Sequence, residues 1–291
     1  MKLSIIIVNY KSADMIIGLI DSIYNGTKEK DHEIIIVDNY SNDGGIKQIK
    51  ERYPDIKVIE NPDNLGFATA VNRGIKASRG QYLLILNPDI IIKPGAIDVL
   101  IKSLDDDPRA GAAGGKILNP DGSIQLSGKS FPDPMVMLFV TLGLHKILPH
   151  NPVTDKYYHS TEDYGKKHQV EHLMASFLMV KREAIDKAGM MDEKFFLYCE
   201  DVDWCYRIHM SGYEIWYLPD SEVVHVKGAT TSKNSYRAIV EYHKSAWYFY
   251  RKYYWDKYPI LLSLSFYIGL QLRKYLYLIV NFFSKDKKVN Y

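Results

Sequence analysis

The sequence has very little cysteine and no long uninterrupted apolar run. Only two of its 291 residues are cysteines, Cys199 and Cys205, too close together for a disulfide framework and without CxxC spacing. This usage favours a reducing, cytoplasmic compartment. The first apolar run stops at Asn9 without a small-residue cleavage pattern, so we expect a buried strand rather than a signal peptide. The longest uncharged stretch near the C-terminus, 258–272, has 15 residues, fewer than the ~20 that a spanning helix needs.

What the sequence does contain is the composition of an ordinary folded protein, with 46% apolar and 25% charged residues. Wholesale disorder is therefore excluded, and the length suffices for one large or two smaller domains. The net charge of +2 conceals an uneven distribution. Residues 236–291 contain ten Lys or Arg against three acids, and 11 of the 23 tyrosines, whereas residues 1–235 contain 27 against 32. We therefore expect an acidic body followed by a basic, aromatic tail.

Short β-branched runs alternate with helical stretches over the first 117 residues. The apolar runs are LSIIIV (3–8), EIIIV (33–37), IKVI (56–59) and QYLLIL (81–86). Helical patterns lie around 12–24 and 67–78, and further along the chain 172–180 has strand character and 181–187 helical character. Continuous apolar strands separated by helices predict a parallel sheet that is covered on both faces. Such a sheet binds ligands at the carboxyl ends of its strands, so the polar residues there are candidates.

Polar residues follow two of these strands and begin one helix. Asp38 ends the second strand and could accept hydrogen bonds from a base or a ribose, although Asp at such a position also forms Asx turns and helix caps. Asn64 and Gly66, in NLGF, begin a helix whose free N–H groups could face a diphosphate. Asn87 and Asp89 flank a proline after the fourth strand. NPD alone is also a common turn sequence, and its position after NLGF is what makes it informative.

The stretch FFLYCEDVDWCYR (195–207) places acids directly after large apolar side chains, where an unpaired carboxylate is costly. Glu200, Asp201 and Asp203 could simply occupy a helix start, where the macrodipole favours the ionised form. Alternatively, one of them could act as a general base toward a hydroxyl. His225, in SEVVHVKGAT, follows a strand-like run, and a lone histidine is more often a core or surface residue than a metal ligand.

Seven segments, taken together and in order, resemble a family 2 glycosyltransferase of the type A fold, in its rhamnosyltransferase-like branch. They span about residues 3–230 and are SIIIVNY, VDNYSND, NLGFATAVNRGI, NPD, ASFLMVKREA, FFLYCEDVDWCYR and HVKGAT. The resemblance implies an α/β fold with a mostly parallel nucleotide-binding sheet flanked by helices and an α-helical C-terminal extension. It also implies a catalytic domain at 1–235, with a donor-binding part at about 1–117 and an acceptor side at about 118–235.

The resemblance also implies roles for individual residues. Nucleotide binding would fall to Asn9, Asp38, Asn64, Gly66, Asn72 and Asn87. Asp89 would bind a divalent metal together with His225, and the imidazole mildly favours Mn²⁺ over Mg²⁺. Asp201 would be the general base, with Glu200 and Asp203 supporting it or contacting acceptor hydroxyls. The family's DxD motif is NPD here, so its first position adds no charge and metal affinity without the donor is expected to be weak.

The implied function is inverting transfer of a sugar, with rhamnose as a candidate, from a nucleotide-diphosphate sugar to a hydroxyl of a glycan or lipid-linked glycan in surface polysaccharide synthesis. The alternative is a degenerate transferase that serves as a non-enzymatic membrane scaffold, which the NPD departure allows. A nucleotidyltransferase would need a glycine-rich basic loop after the first strand, which residues 9–12 do not supply. No nucleic-acid partner is expected.

The tail, 236–291, predicts helices that lie on a membrane surface. Trp247, Trp255 and the many tyrosines are typical of the headgroup boundary, and the basic excess would attract anionic lipid. We therefore expect a cytoplasmic protein, peripheral on the inner face of the cell membrane. A helical interface in a homodimer, or packing against the catalytic domain, are the alternatives, because aromatic residues are also enriched in interfaces.

Overall fold

The computed structural model describes residues 1–148, 151–159, 163–225 and 235–283. The strands in these ranges are β1 Leu3–Asn9, β2 His32–Asp38, β3 Lys57–Glu60, β4 Tyr82–Leu86, β5 Ile90–Ile92, β6 Ala110–Leu118, β7 Ile124–Gln125, β8 Gly128–Lys129, β9 His168–Val170, β10 His172–Leu173, β11 Phe177–Lys181 and β12 Glu214–His225. The helices are α1 Ala13–Gly26, α2 Gly45–Arg52, α3 Phe67–Ala77, α4 Ala96–Asp106, α5 Pro134–Thr141, α6 Leu144–Ile147, α7 Pro152–Tyr158, α8 Arg182–Ala188, α9 Glu200–Met210, α10 Ser235–Tyr253 and α11 Ile260–Phe283.

The strands of the described part form one large mixed sheet and a two-stranded sheet of β8 and β10. The order in the large sheet is β3-β2-β1-β4-β11-β6-β12-β5, with β7 beside β6 and β9 beside β12. The first four strands of the chain are parallel, and β11 runs antiparallel between β4 and β6. The prediction of a mostly parallel sheet flanked by helices, followed by a helical C-terminal region, is confirmed.

Alternating side chains of the central strands fill two cores, one on each face of the large sheet. Along β1, Ile5 and Ile7 face the core that α1, α2 and α4 cover, while Ile6 and Val8 face the core under α3, α8 and α9. Each fully buried side chain of this size contributes about 1.5–3 kcal/mol. Burial on both faces explains why these strands are continuous apolar runs rather than alternating patterns.

Strand register brings distant polar residues together at the carboxyl edge of the sheet. Asn9 pairs with Asp38 where the parallel strands β1 and β2 end. At the other side of the sheet, β12 runs antiparallel to β5 and pairs His225 with Ile90. Because Ile90 directly follows Asp89 in the chain, this register places Asp89 beside His225.

The segment 172–180 forms two strands rather than the one strand that its apolar pattern predicts. β10 and β11 are separated by 174–176, and the Phe177 N–H donates across this break to the Met174 carbonyl at 3.4 Å. The break lies at the carboxyl edge of β4, since the Asn87 N–H donates to the Ser176 carbonyl at 3.1 Å. The apolar segment is therefore interrupted where it passes the residues that follow β4.

Helices α10 and α11 pack on the α/β body through an aromatic cluster that includes Phe195, Phe249, Tyr250 and Phe266. This agrees with one of the alternatives for the tail, packing against the catalytic domain. No helix in the described ranges is both long enough and apolar enough to cross a membrane.

Asp203 fastens α10 to α9. The carboxylate is 0% exposed and accepts from Arg207 Nε at 2.9 Å, Lys252 Nζ at 2.6 Å and Tyr253 Oη at 2.7 Å. The expectation that Asp203 contacts acceptor hydroxyls is therefore wrong, because both of its oxygens are buried and engaged inside the protein. Its carboxylate instead compensates two basic side chains at the junction of the body and the tail.

Asp203→Asn should lower the free energy of unfolding by about 3 kcal/mol, because Lys252 and Arg207 would lose the buried charge that compensates them. Urea unfolding followed by circular dichroism measures the change. The matched control is Asp106→Asn, whose ion pair with Lys102 is exposed, and no measurable change is expected there. Equal stability of the two variants would contradict a tethering role for Asp203.

Candidate active site

Asp38 is held rigidly at the end of β2. Its Oδ1 accepts from Asn9 Nδ2 at 2.7 Å and its Oδ2 from the Ser41 N–H at 3.0 Å. Asn9 is fully buried, and its own Oδ1 accepts from the Ser12 N–H at 3.1 Å. Asn9 therefore acts through Asp38 by orienting its carboxylate. Asp38 borders a groove of about 470 Å³ beside α2, which does not reach Asp89, Asp201 or His225.

Asn39 organises the NLGF loop, and the sequence reasoning did not assign it a role. Its Nδ2 donates to Asn64 Oδ1 at 3.0 Å and to the Gly66 carbonyl at 3.1 Å, while its Oδ1 accepts from the Leu65 N–H at 3.0 Å. The available signal was its place directly after Asp38, at the same strand end. These bonds attach the loop that contains Asn64 and Gly66 to the residue after Asp38, and a nucleotide-binding role for the loop stays a prediction.

Gly66 allows a close approach between protein segments. Its φ is +87°, and a Cβ there would lie 2.6 Å from the Phe196 carbonyl oxygen. The Phe67 N–H, the first of α3, donates to that same oxygen at 2.8 Å. The loop therefore contacts the segment that leads to the acid pair, and contact of Gly66 with a diphosphate stays a prediction.

Asn72 lies away from the other predicted site residues. Its Oδ1 accepts from the Met191 N–H at 3.0 Å, and its Nδ2 donates to the Met191 carbonyl at 2.8 Å and to Glu193 Oε1 at 2.9 Å. The residue is 2% exposed. It anchors the segment that precedes Phe195, and its contact with a nucleotide stays a prediction.

Asp89 and His225 face each other at the edge of the sheet, both 7% exposed. Asp89 Oδ1 lies 3.3 Å from His225 Nε2, yet none of the described residues donates a hydrogen bond to it. The reason is Gln125, whose Oε1 lies 3.0 Å from His225 Nδ1 and whose Nε2 donates to the His225 carbonyl at 2.9 Å and to Asn119 Oδ1 at 2.7 Å. These bonds fix the amide orientation, so Nδ1 of the imidazole must carry the proton. In the neutral imidazole, Nε2 therefore presents a lone pair to a carboxylate oxygen.

Gln125 was missed by the sequence reasoning, because β7 is only two residues long and lies 100 positions before His225. Two facing acceptors repel unless a proton or a cation lies between them. The Asp89–His225 pair therefore has the donor chemistry of a cation site, with one carboxylate and one imidazole.

The acid pair begins α9 after a strained turn. Tyr198 and Cys199 have φ values of 70° and 64°, a region that non-glycine residues rarely adopt and that clusters at functional sites. Glu200 is 5% exposed, whereas Asp201 is half-buried. Asp201 Oδ1 accepts from the Val202 N–H at 2.9 Å and its Oδ2 from the Ala175 N–H at 3.2 Å.

Burial raises the pKa of both carboxyls, but their surroundings differ. For Glu200, desolvation and the neighbouring Asp201 charge raise the pKa well above 4.5. For Asp201, desolvation raises the pKa, while the N–H groups of Ala175 and Val202 and the Lys129 ammonium lower it again. The surroundings therefore favour negative charge on Asp201 over negative charge on Glu200.

Consecutive residues link the acid pair to NPD. The Ala175 N–H donates to the Asp201 carboxylate, and the carbonyl of the following residue, Ser176, accepts from the Asn87 N–H. Three buried oxygens without a hydrogen-bond donor or acceptor partner in the described part of the chain lie on these segments: Asp89 Oδ1, Ser176 Oγ and Glu200 Oε2. Such atoms are rare in folded proteins, and a bound ligand is one explanation for them. Ser176 is not among the predicted site residues, although it lies in ASFLMVKREA, one of the seven segments of the family resemblance. The remainder of HVKGAT, 226–230, lies outside the described residues.

The model of the family described as Glycosyl transferase family 2 matches residues 4–189, which is more than half of the chain. The chain belongs to glycosyl transferase family 2. The family resemblance of the motifs is thereby confirmed, and the protein is a glycosyltransferase. The comparisons give no support to the alternative of a non-enzymatic scaffold.

Curated relatives of this glycosyltransferase agree with the rhamnosyltransferase-like branch. It is 33% identical over 237 residues to N-acetylglucosaminyl-diphospho-decaprenol L-rhamnosyltransferase of Mycobacterium tuberculosis, covering 76% of this chain and 75% of that protein. It is 26% identical over 231 residues to rhamnosyltransferase WbbL of Escherichia coli K12, covering 76% of this chain and 82% of that protein.

A solved structure supports the fold of the glycosyltransferase. The crystal structure of GalNAc-T7 with UDP, GalNAc and Mn²⁺ superposes with a TM-score of 0.63 at 18% identity, covering 88% of this chain and 48% of that chain. At this identity the likeness shows the fold alone.

Glu200→Gln should stabilise the protein at neutral pH and leave it unchanged in acid. Below the ordinary pKa of 4.5, Glu200 is protonated in both the folded and the unfolded state. Above it, only the unfolded chain ionises, so wild-type stability is lost as the pH rises toward the raised pKa of the folded protein. Gln cannot ionise, and the difference in melting temperature should therefore grow between pH 4 and pH 8.

Glu51→Gln, at an exposed position on α2, is the control and should show no such pH dependence. A melting-temperature difference for Glu200→Gln that stays constant across the pH range would show that Glu200 is ionised in the folded protein.

Proposed function

We propose that this protein transfers a sugar, with rhamnose as the first candidate, from a nucleotide-diphosphate sugar to a hydroxyl of a lipid-linked glycan in surface polysaccharide synthesis. The observation that carries the proposal is the half-buried Asp201 carboxylate, bonded to Ala175 and thereby linked to NPD. The printed names of the relatives support the sugar class and, for the mycobacterial protein, a diphospho-decaprenol acceptor.

In the proposed reaction, Asp201 accepts the proton of the acceptor hydroxyl as that oxygen attacks the anomeric carbon. The attack comes from the face opposite the diphosphate, which leaves with the electron pair of the broken C–O bond. One displacement inverts the anomeric configuration, so no covalent sugar intermediate forms. Burial and the Asp201 charge raise the pKa of Glu200, which disfavours a second negative charge beside Asp201.

Asp89 and His225 would hold a divalent cation. The fit rests on Asp89 Oδ1, which lacks a donor, and on His225 Nε2, whose lone pair faces it. The described residues contain no group of three or more His, Cys, Asp or Glu side chains suited to a metal, so phosphate oxygens and water would complete the coordination. A bound cation would stabilise negative charge on the leaving diphosphate. The imidazole favours Mn²⁺ over Mg²⁺.

The proposed location is the cytoplasmic face of a membrane, with α11 at the lipid surface. One side of α11 is apolar and exposed: Leu261, Leu264, Ile268, Leu272, Leu276, Ile279 and Phe283. An interfacial helix buries such a side among acyl chains while flanking basic residues contact anionic headgroups. The alternative occupant of this side is a second copy of the chain.

Asp201→Asn tests the chemistry. Transfer should fall by roughly 10²–10⁴-fold, because the acceptor hydroxyl would lose its base. Donor affinity should stay nearly unchanged, since the substitution preserves shape. The measurement is sugar transfer from dTDP-rhamnose and other nucleotide sugars to an N-acetylglucosaminyl-diphospho-prenyl acceptor with Mn²⁺, alongside calorimetric donor binding.

The control for this experiment is Asp186→Asn, at an exposed position on α8, which should transfer normally. Turnover of Asp201→Asn close to the wild-type rate would refute Asp201 as the base. Absence of transfer from every donor by the wild-type protein would count against the proposed function.

Gln125→Ala should weaken Mn²⁺ binding by roughly 10–100-fold, because His225 would lose the partner that keeps Nε2 unprotonated. Gln125→Glu retains an acceptor oxygen and should recover most of the affinity. Titration of Mn²⁺ in the presence of nucleoside diphosphate, followed by electron paramagnetic resonance, measures the change. Gln169→Ala, at an exposed position on β9, is the control. Unchanged affinity in Gln125→Ala would mean that Gln125 does not position a metal ligand.

A further inference from the structure

Arg273, in the middle of α11, is a buried cation without a carboxylate partner in the described part of the chain. The residue is 7% exposed. Its guanidinium carbon lies 5.3 Å from the ring centre of Tyr242 and 4.9 Å from that of Tyr277, and Nη2 donates weakly to Tyr277 Oη at 3.5 Å. Nη1 has no hydrogen-bond partner among the residues that the structure describes.

This arrangement is costly unless an anion completes it. Arginine stays charged in proteins, so it cannot avoid the cost of burial by losing its proton. Aromatic rings offset only part of the desolvation of a guanidinium, and an unused buried N–H adds a further penalty. The planar guanidinium is suited to a phosphate, which can accept two parallel hydrogen bonds from it.

Arg273 lines a groove of about 410 Å³ between α11 and the C-terminal end of α5. Four of the other lining side chains are aliphatic: Val140, Leu142, Leu272 and Leu276. Leu142, Leu272 and Leu276 are also exposed, so the groove is continuous with the apolar side of α11. One cation in an apolar groove matches a lipid phosphate, with a charged head joined to a hydrocarbon chain.

A short chain of aromatic contacts connects Arg273 to the acid pair. The Tyr242 ring, which contacts the guanidinium, lies 5.8 Å from the ring of Tyr198. Tyr198 and Cys199 form the strained turn that directly precedes Glu200. Arg273 is therefore linked through two ring contacts to the turn that precedes Glu200 and Asp201.

We propose that this groove binds the phosphate and the first isoprenoid units of the lipid-linked acceptor, with Arg273 contacting the phosphate. The inference rests on the proposed function and specifies how its acceptor is held. The Tyr242 and Tyr198 rings would lie alongside the sugar, whose hydroxyl reaches Asp201. Recognition of the phosphate explains why a cation is buried in α11, which a purely apolar membrane contact does not require.

Direct binding tests the groove without relying on activity. Calorimetry with farnesyl diphosphate as the probe should show binding to the wild-type protein and at least roughly tenfold weaker binding to Arg273→Gln, because a charge-assisted pair is lost. Arg273→Lys should fall between the two. Lys274→Gln removes a neighbouring charge from the same helix and should bind like wild type. Farnesol and inorganic diphosphate should both bind more weakly than farnesyl diphosphate.

A second variant tests the apolar end. Gly269 lines the groove, and a Cβ there would lie 3.4 Å from Thr141 Cγ2, so Gly269→Leu would add apolar volume to the groove and leave the guanidinium present. We expect weaker binding of farnesyl diphosphate and unchanged binding of inorganic diphosphate. Equal binding of farnesyl diphosphate by wild type, Arg273→Gln and Gly269→Leu would overturn the proposal.

Kinetics separate the groove from the reaction itself. Arg273→Gln should raise KM for an N-acetylglucosaminyl-diphospho-prenyl acceptor by roughly tenfold or more, with KM for an uncharged alkyl N-acetylglucosaminide nearly unchanged. An equal loss with both acceptors overturns the groove but leaves the proposed function intact. Flotation with phosphatidylglycerol vesicles that lack acceptor addresses the membrane. If Arg273→Gln abolishes flotation as well, the guanidinium binds phospholipid headgroups and the proposal fails.

Discussion

Backbone groups of two consecutive residues, Ala175 and Ser176, link the acid pair to NPD in the candidate site. The Ala175 N–H bonds to the Asp201 carboxylate, and the Ser176 carbonyl accepts from the Asn87 N–H. They are available because β10 ends at Leu173 and β11 begins at Phe177, so the intervening residues are not used in strand pairing. A continuous strand over 172–180 would give these groups to the sheet. The position of Asp201 relative to NPD thus depends on an interruption in one apolar segment.

The Asp89–His225 pair and the acid pair share one feature: each contains a buried carboxylate oxygen to which no described residue donates a hydrogen bond. Glu200 Oε2 and Asp89 Oδ1 are buried without donors, although single missing bonds of this kind typically cost 1–3 kcal/mol each. Large cores on both faces of the sheet supply the stability that such a cost requires. The two acids of the pair differ in the same respect. Two backbone N–H groups donate to the Asp201 carboxylate, whereas no described residue donates to Glu200 Oε2.

The parallel half of the sheet and the loops at its edge were predictable, because β1 to β4 are apolar runs buried on both faces. Motif order predicted Asp38, Asp89, Asp201 and His225 as site residues, and Asn9 beside Asp38, but it did not predict Asn39 or Gln125. Gln125 lies in a two-residue strand and Asn39 in a turn, so neither has a periodic signal. β6, AGAAGGKIL, was also missed: its glycines weaken the strand pattern, and they are needed because a Cβ at Gly115 would lie 2.0 Å from the Ser221 carbonyl oxygen.

The packing of the tail against the body explains part of the uneven distribution of charge between residues 1–235 and 236–291. The acidic body supplies Asp192 and Asp203, and both carboxylates contact Lys252 at 2.6 Å, so part of the basic excess of α10 is compensated internally. Arg273 differs, because no carboxylate of the described body reaches it and its contacts are tyrosine rings. Folding thus accounts for the lysine in α10 but not for the arginine in α11. The Arg273 guanidinium is thus a cation that folding leaves uncompensated. Two ring contacts, with Tyr242 and then Tyr198, connect it to the strained turn before Glu200. This position is suited to a ligand contact. If Arg273 contacts the acceptor as proposed, the tail would contribute to acceptor binding as well as to the surface that would face the membrane.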